Sequence, residues 1–267
     1  VCSSDLGIEF VNRFKGQDVI MLDGQDSATL MGSWDVFKET DAKMLLKNTM
    51  YKDKSNYVLD GRLYWPPEQL DGLTNILYKK DFSKIELSGT NWLSTINPPF
   101  QDYSQFKKDI DVFAMFQYPA KQNFEWQVDI SKHYTGHRVK CIEQLKCLPK
   151  NIKIVTAESG KVSLREYYNL MSRSKIVVAP FGYGEIAPRD IESTVFGCVL
   201  IKPDMSHIDT IPNIYNDQKN YITCNWDYSN LIESVTNCLD GYTSKQDYYV
   251  NNMRMAYQTE YEPERVV

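Results

Sequence analysis

At 267 residues, 42% apolar and 24% charged, the chain has an ordinary globular composition and room for one large domain or two modest ones. A formal net charge of −5, with no basic stripe, excludes a general nucleic-acid-binding role. No run is long and apolar enough to span a bilayer and no secretory signal is visible, so the expected location is the cytoplasm or the periphery of a membrane.

The opening VCSSDL shows neither helical nor strand periodicity and has no initiator Met. Whether natural sequence precedes it is left open, and with it a lost N-terminal anchor. DVIML (18–22) has the look of a short buried strand, followed by the turn-rich DGQDS. The next eighty or so residues give no clear period. They mix tyrosines and tryptophans with turn signals such as Asp60-Gly61 and Pro66-Pro67.

From Asp109 the pattern is regular. DVFAMF (111–116) predicts a strand, and a helix follows near 131–147 with Val139, Ile142 and Leu145 at helical spacing. IKIVTA (152–157) predicts a second strand. SLREYYNLMSRS (163–174) predicts a helix with Leu164, Tyr167, Tyr168 and Met171 on one face. KIVVAP (175–180) is a third strand. Pro188 suits the first turn of a helix running to about Phe196, and Gly197 its stop. CVLIK (198–202) and YITC (221–224) complete the strands, and helices are expected near 228–239 and 244–259. Continuously apolar strands alternating with helices predict a doubly wound α/β domain with a parallel sheet.

Cys2, Cys141, Cys147, Cys198, Cys224 and Cys238 form no C-x-x-C pair and no close Cys/His spacing. A zinc site is therefore not expected, and most of these thiols are read as small buried side chains in a reducing compartment.

Ligands of open α/β sheets bind beyond the carboxyl ends of the strands. The segment PFGYGEIAPRDIE (180–192) occupies such an end. Gly182 and Gly184 permit close backbone approach, and the helix from Pro188 aims its free N–H groups at the same space. Arg189 adds a planar cation in the first turn. Together they form a candidate diphosphate cradle. Glu192, one turn on, has the chemistry to accept two hydrogen bonds from a ribose diol, and Glu185 to meet sugar hydroxyls. The same residues also suit a plain turn and an i,i+3 surface pair. A dinucleotide fingerprint, G-x-G-x-x-A over 182–187 with Asp204 twenty residues past Gly184, is set aside because that motif opens its domain. Here three strands precede it.

REYYNLMSRSKIVVAPFGYGEIAPRDIESTVFGCVLIKP resembles the nucleotide-sugar-binding half of GT-B glycosyltransferases, in particular exostosin-like and related viral or bacterial enzymes. The likeness lies in the Ser-x-Ser-like turn, the apolar strand, the glycine loop, and a helical Glu followed five residues later by Gly, here Glu192 and Gly197. It extends over roughly 160–240.

The resemblance implies two Rossmann-like domains with parallel sheets, the N-terminal one short or truncated. Residues 1–108 would form the acceptor side and 109–242 the donor domain, with a final helix (243–267) crossing back to the first. It implies an enzyme moving a hexose or pentose from a nucleotide-diphosphate sugar to a glycan, glycoprotein or other hydroxyl acceptor, with no separate cofactor. Glu192 would hold the ribose. Gly182, Tyr183, Gly184, Glu185 and Arg189 would face the diphosphate and sugar, and Lys202 and His207, after the next strand, would add donor contacts. Retaining members of some GT-B families carry two glutamates with seven residues between them. Glu185 and Glu192 have only six between them, which favours inversion, and the GT-B resemblance implies that no metal is needed.

An inverting reaction needs a base, expected from the other domain. Asp26 is the first candidate and Asp23 the second, both also explicable as turn residues. Two rivals stand beside this reading. One is a metal-dependent GT-A-type transferase, for which Asp109-Ile110-Asp111 has D-x-D spacing but precedes its strand. The other is a non-catalytic carbohydrate-binding protein with a GT-B-like fold.

Overall fold

The computed structural model describes residues 9–10, 12–23, 28, 36–37, 40, 42–54, 82–88, 100–117, 127–157, 162–182 and 184–260. Contacts divide the chain into two compact units. The first comprises Val1–Asn91, Tyr183–Glu185 and His207–Ile211, and the second Trp92–Gly182, Ile186–Ser206 and Pro212–Val267.

In the first unit three strands form a parallel sheet: β1 (Ile20–Asp23), β2 (Met44–Lys47) and β4 (Ile85–Leu87), in the order β1-β2-β4. Leu45 and Ile85, paired across the ladder, are fully buried. β1 departs from the expectation of a buried strand. It lies at the sheet edge, where alternate side chains turn to opposite faces. Ile20 and Leu22 are 57% and 68% exposed, and Asp23 is the buried residue. Next in the chain after β2 comes β3 (Thr49–Tyr51), which pairs antiparallel with β9 (Ile208–Thr210) in a separate two-stranded sheet. No strand was expected at 208–210. Three residues with an aspartate at the centre carry no periodic signal.

The second unit holds β5 (Ile110–Ala114), α1 (Gln127–Lys146), β6 (Ile154–Thr156), α2 (Leu164–Ser172), β7 (Ser174–Val178), α3 (Pro188–Val195), β8 (Val199–Pro203), β10 (Ile222–Cys224), α4 (Leu231–Leu239) and α5 (Tyr242–Glu260). Its five strands are all parallel, in the order β10-β8-β7-β5-β6. Alternate strand residues serve the two faces. Val112, Ala114, Ile176, Val178, Val199 and Ile201 pack with α1 and α4 through Cys141, Ile142, Leu145, Leu231 and Val235. On the other face Phe113 meets Tyr167 of α2 edge-on, ring centroids 5.1 Å apart. Each fully buried aliphatic side chain contributes about 1.5–3 kcal/mol, which makes this sheet the energetic centre of the unit.

Helix ends follow local chemistry. The Ser163 hydroxyl accepts from Glu166 N at the start of α2. Leu164, placed by periodicity on the packed face, is 66% exposed because it occupies the first turn, ahead of the sheet. Pro188 opens α3 at its first position. Gly197 ends that stretch at φ +69°, and a Cβ there would also collide with the Tyr103 ring, so no other residue suits the position. α5 packs within the second unit, where Thr194 Oγ1 donates to Val250 O and Arg254 donates to Thr194 O.

Candidate functional site

The order of strands reverses at β5. The chain passes from β5 to its neighbour β6, then crosses to β7 on the other side and continues outward. The crevice beyond the carboxyl ends of β5 and β7 is therefore the topological switch point, the general ligand position of such sheets. Arg138 of α1 spans it. Its Nε donates to Phe181 O after β7 and its Nη1 to Gln117 O after β5, each at 3.0 Å. Gly182 makes room for this: a Cβ would strike the Arg138 guanidinium.

Arg189, in the first turn of α3, approaches the same place. Its guanidinium carbon lies 5.8 Å from the Phe116 ring centroid, and that of Arg138 lies 5.6 Å from it. Nε and Nη1 of Arg189 are buried without a hydrogen-bond partner among the described residues. Buried donors on a cation are costly unless something accepts from them.

Glu192, three residues along α3, receives hydrogen bonds from Tyr168 (3.1 Å) and Tyr167 (3.2 Å) of α2. Burial raises its carboxyl above the usual range, against the opposing pull of the two hydroxyls and of Arg189.

Behind the helix start, Asp190 and Lys202 are fully buried and 3.1 Å apart. Asp190 Oδ2 also accepts from Tyr215 Oη (2.7 Å) and from Ala187 N (3.0 Å), which fixes the entry of α3. Lys202 Nζ lies 4.8 Å from the Phe181 ring centroid. His137, beside Arg138, stacks on Trp226 with centroids 4.0 Å apart and meets Tyr228 Oη at 2.5 Å. Burial drives its imidazole well below the ordinary range, and the charges of Arg138 and Lys202 push the same way.

The sequence-predicted residues are distributed as follows. Gly182, Arg189, Glu192 and Lys202 belong to the second unit, around the ends of β7 and β8. Gly184 and Glu185 group with the first unit, where Glu185 is buried and accepts from Ala28 N at 2.9 Å. His207 is also in the first unit, stacked on Tyr51 with centroids 6.3 Å apart. Asp23 is paired at 2.5 Å with the buried Lys47, its partner in the β1–β2 ladder. Asp26 and Tyr183 lie outside the described residues. Asp109 and Asp111 stand at the amino end of β5, each bonded to a cation, Arg173 and Lys175.

No family model and no curated protein matches the chain. Solved structures do resemble it. The crystal structure of TarM matches with a TM-score of 0.50 at 11% identity, over 98% of this chain and 56% of that one. The fold is GT-B-like. This chain thus spans little more than half the length of TarM. A glycosyltransferase from Rickettsia africae ESF-5 gives 0.45 at 12% identity, over 99% and 77% of the two chains. An alpha-glucosyltransferase, solved with UDP-glucose and DNA containing an abasic site, gives 0.45 at 10%, over 97% and 72%. The parallel sheets accord with the GT-B-like, Rossmann-type fold expected from the sequence. No helix among the described residues is long and apolar enough to cross a membrane.

Sequence reasoning missed Arg138, His137 and the two tyrosines on Glu192. A signal existed for the first pair. Residues 137 and 138 precede the buried Cys141, Ile142 and Leu145 at helical spacing, so both occupy core-facing positions while being polar.

Proposed function

We propose that the chain is a glycosyltransferase that takes a sugar from a nucleotide-diphosphate donor held in the second unit and passes it to a hydroxyl of a glycan or glycoprotein. One observation carries this reading. The Arg189 guanidinium sits at the amino end of α3, by the β5/β7 switch point and near Arg138, with two buried N–H-bearing nitrogens that meet no partner among the described residues.

A diphosphate supplies the missing acceptors. The first-turn N–H groups of α3 and the Arg189 fork would neutralise its oxygens and stabilise the charge that grows as the sugar departs. Glu192 would exchange the Tyr167 and Tyr168 hydroxyls for those of the ribose. Gly182 keeps the wall low enough for Arg138 to join. Inversion without a metal belongs to the same reading. Asp26 is its proposed base, because the carboxylate of Asp23 is already engaged by Lys47.

A thermal-shift screen of nucleotide-diphosphate sugars tests it. One donor should raise the melting temperature, by the equivalent of about 2.7 kcal/mol at a hundred times its Kd. Arg189→Ala should weaken that donor about 10- to 100-fold and Glu192→Ala by a similar factor, with the unliganded melting temperature little changed. Unchanged affinity in both variants defeats the proposal. Transfer that survives chelator supports the metal-independent form, whereas strict manganese dependence favours the GT-A-type alternative.

A further inference from the structure

We propose that a groove on the outer edge of the second unit, between α4, the edge strand β10 and α5, is a second binding site that takes a neutral carbohydrate. This inference stands apart from the donor reading. The groove encloses about 300 Å³, at the lower end of ligand-site volumes.

Its chemistry comes from two faces of one helix. Leu231, Val235 and Cys238 bury one side of α4 in the core. Asn230, Glu233, Ser234 and Asn237 recur at i, i+3, i+4 and i+7 and line the groove instead. A polar helix face ordinarily looks onto open water. This one looks across a concavity at Thr223 of β10, Gln218, and Tyr249 of α5.

Several of these groups are free to bind. The Glu233 carboxylate and the Ser234 and Asn237 side chains make no hydrogen bond among the described residues. Thr223 lines the groove, its hydroxyl buried beside the Tyr221 side chain. Ile222 and the Tyr249 ring add apolar surface. Convergent hydroxyl, amide and carboxylate groups beside an aromatic face match the alternating O–H and C–H surfaces of a sugar ring.

Charge argues for a neutral ligand. The groove's cation, Lys245, is spent on the Asn237 and Asp240 carbonyls at the end of α4. The open Glu233 carboxylate repels anions. Phosphates and nucleotides are thereby disfavoured, and an uncharged saccharide, or one unit of a longer glycan continuing into solvent, is the occupant that fits.

The test uses the full chain, isotopically labelled, titrated separately with maltotriose, chitotriose and xylotriose while amide NMR shifts are followed. At least one trisaccharide should give saturable shifts centred on Thr223, Glu233 and Asn237, with a Kd on the order of millimolar. Glu233→Ala with Asn237→Ala, both on an exposed helix face, should weaken it at least tenfold. Arg189→Ala should leave it unchanged, so the two sites fail independently. The proposal is overturned if no trisaccharide saturates at these residues, if the double variant binds as the wild type does, or if inorganic diphosphate or an extended peptide binds there instead.

Discussion

The strands β5 and β7 run side by side, yet their two ends are built on opposite rules. At the amino end each acid has its base. Asp109 takes two hydrogen bonds from Arg173, at 2.9 and 2.8 Å, and Asp111 takes one from Lys175 at 2.7 Å. These pairs are partly solvated and join the start of β5 to the start of β7. At the carboxyl end Arg138, Arg189 and Lys202 face Asp190 and Glu192, and buried Arg189 nitrogens go without a partner among the described residues. A paired, partly solvated end gains little from any added ion, whereas a buried guanidinium whose Nε and Nη1 meet no partner among the described residues is stabilised by an arriving acceptor. In the proposed function this difference sets the carboxyl end apart as the donor side.

The largest expected effect breaks the carboxyl end at its buried pair. Lys202→Met leaves the fully buried Asp190 without its ammonium, and such a loss costs about 3–5 kcal/mol. Equilibrium denaturation should show it, and the double variant Lys202→Met with Asp190→Asn should recover much of it, because no uncompensated charge then stays buried. Lys47→Met in the first unit should cost a similar amount, since Lys47 and Asp23 are also buried and paired. It should leave donor affinity intact, whereas Lys202→Met should lower donor affinity as the entry of α3 loosens. Equal effects of the two substitutions on donor affinity would erase the proposed contrast between these pairs.

A smaller effect sharpens the comparison through pH. Burial holds His137 well below the usual imidazole range in the folded protein, while an unfolded histidine titrates near 6.5. The unfolded chain then binds the extra proton first. The contribution of His137 is fully present above about pH 6.5 and is lost as the pH falls below it, by up to about 1.4 kcal/mol per pH unit. Melting temperatures from pH 7 to 5 should fall more steeply for the wild type than for His137→Gln, which carries no titratable ring. Parallel profiles would mean that the ring is already hydrated.

These contrasts were unevenly legible in the sequence. β5, β7 and β8 announce themselves as apolar runs because both their faces are covered. The turn at Gly182, the start at Pro188 and the stop at Gly197 follow from backbone rules that single residues obey. Arg189 and Glu192 were read from their place one turn apart on a helix at a strand end. What stayed hidden depends on distant partners. Nothing near Glu192 in the chain says that Tyr167 and Tyr168 donate to it, and nothing near Lys202 says that Asp190 lies against it. The first unit is obscure for the same reason. β3 and β9 are three residues each, separated by more than 150 positions, and only their pairing makes them strands.

The smallest effect belongs to the amino end. The two Arg173 hydrogen bonds, aided by its charge, hold the Asp109 carboxyl at about 2, below the ordinary value of 3.8. A depressed carboxyl contributes stability that is present above the unfolded value and is lost as the pH falls toward the folded one. The window is therefore pH 4 down to about 2. Arg173→Ala should lower the melting temperature slightly at pH 7, as exposed pairs are worth little, and salt should shrink the difference. The gap between variant and wild type should close across that acid window and leave donor affinity untouched throughout. A gap that persists at pH 2, or a weakened donor, would show that the amino end does more than join two strands, and the division of labour between the ends would have to be redrawn.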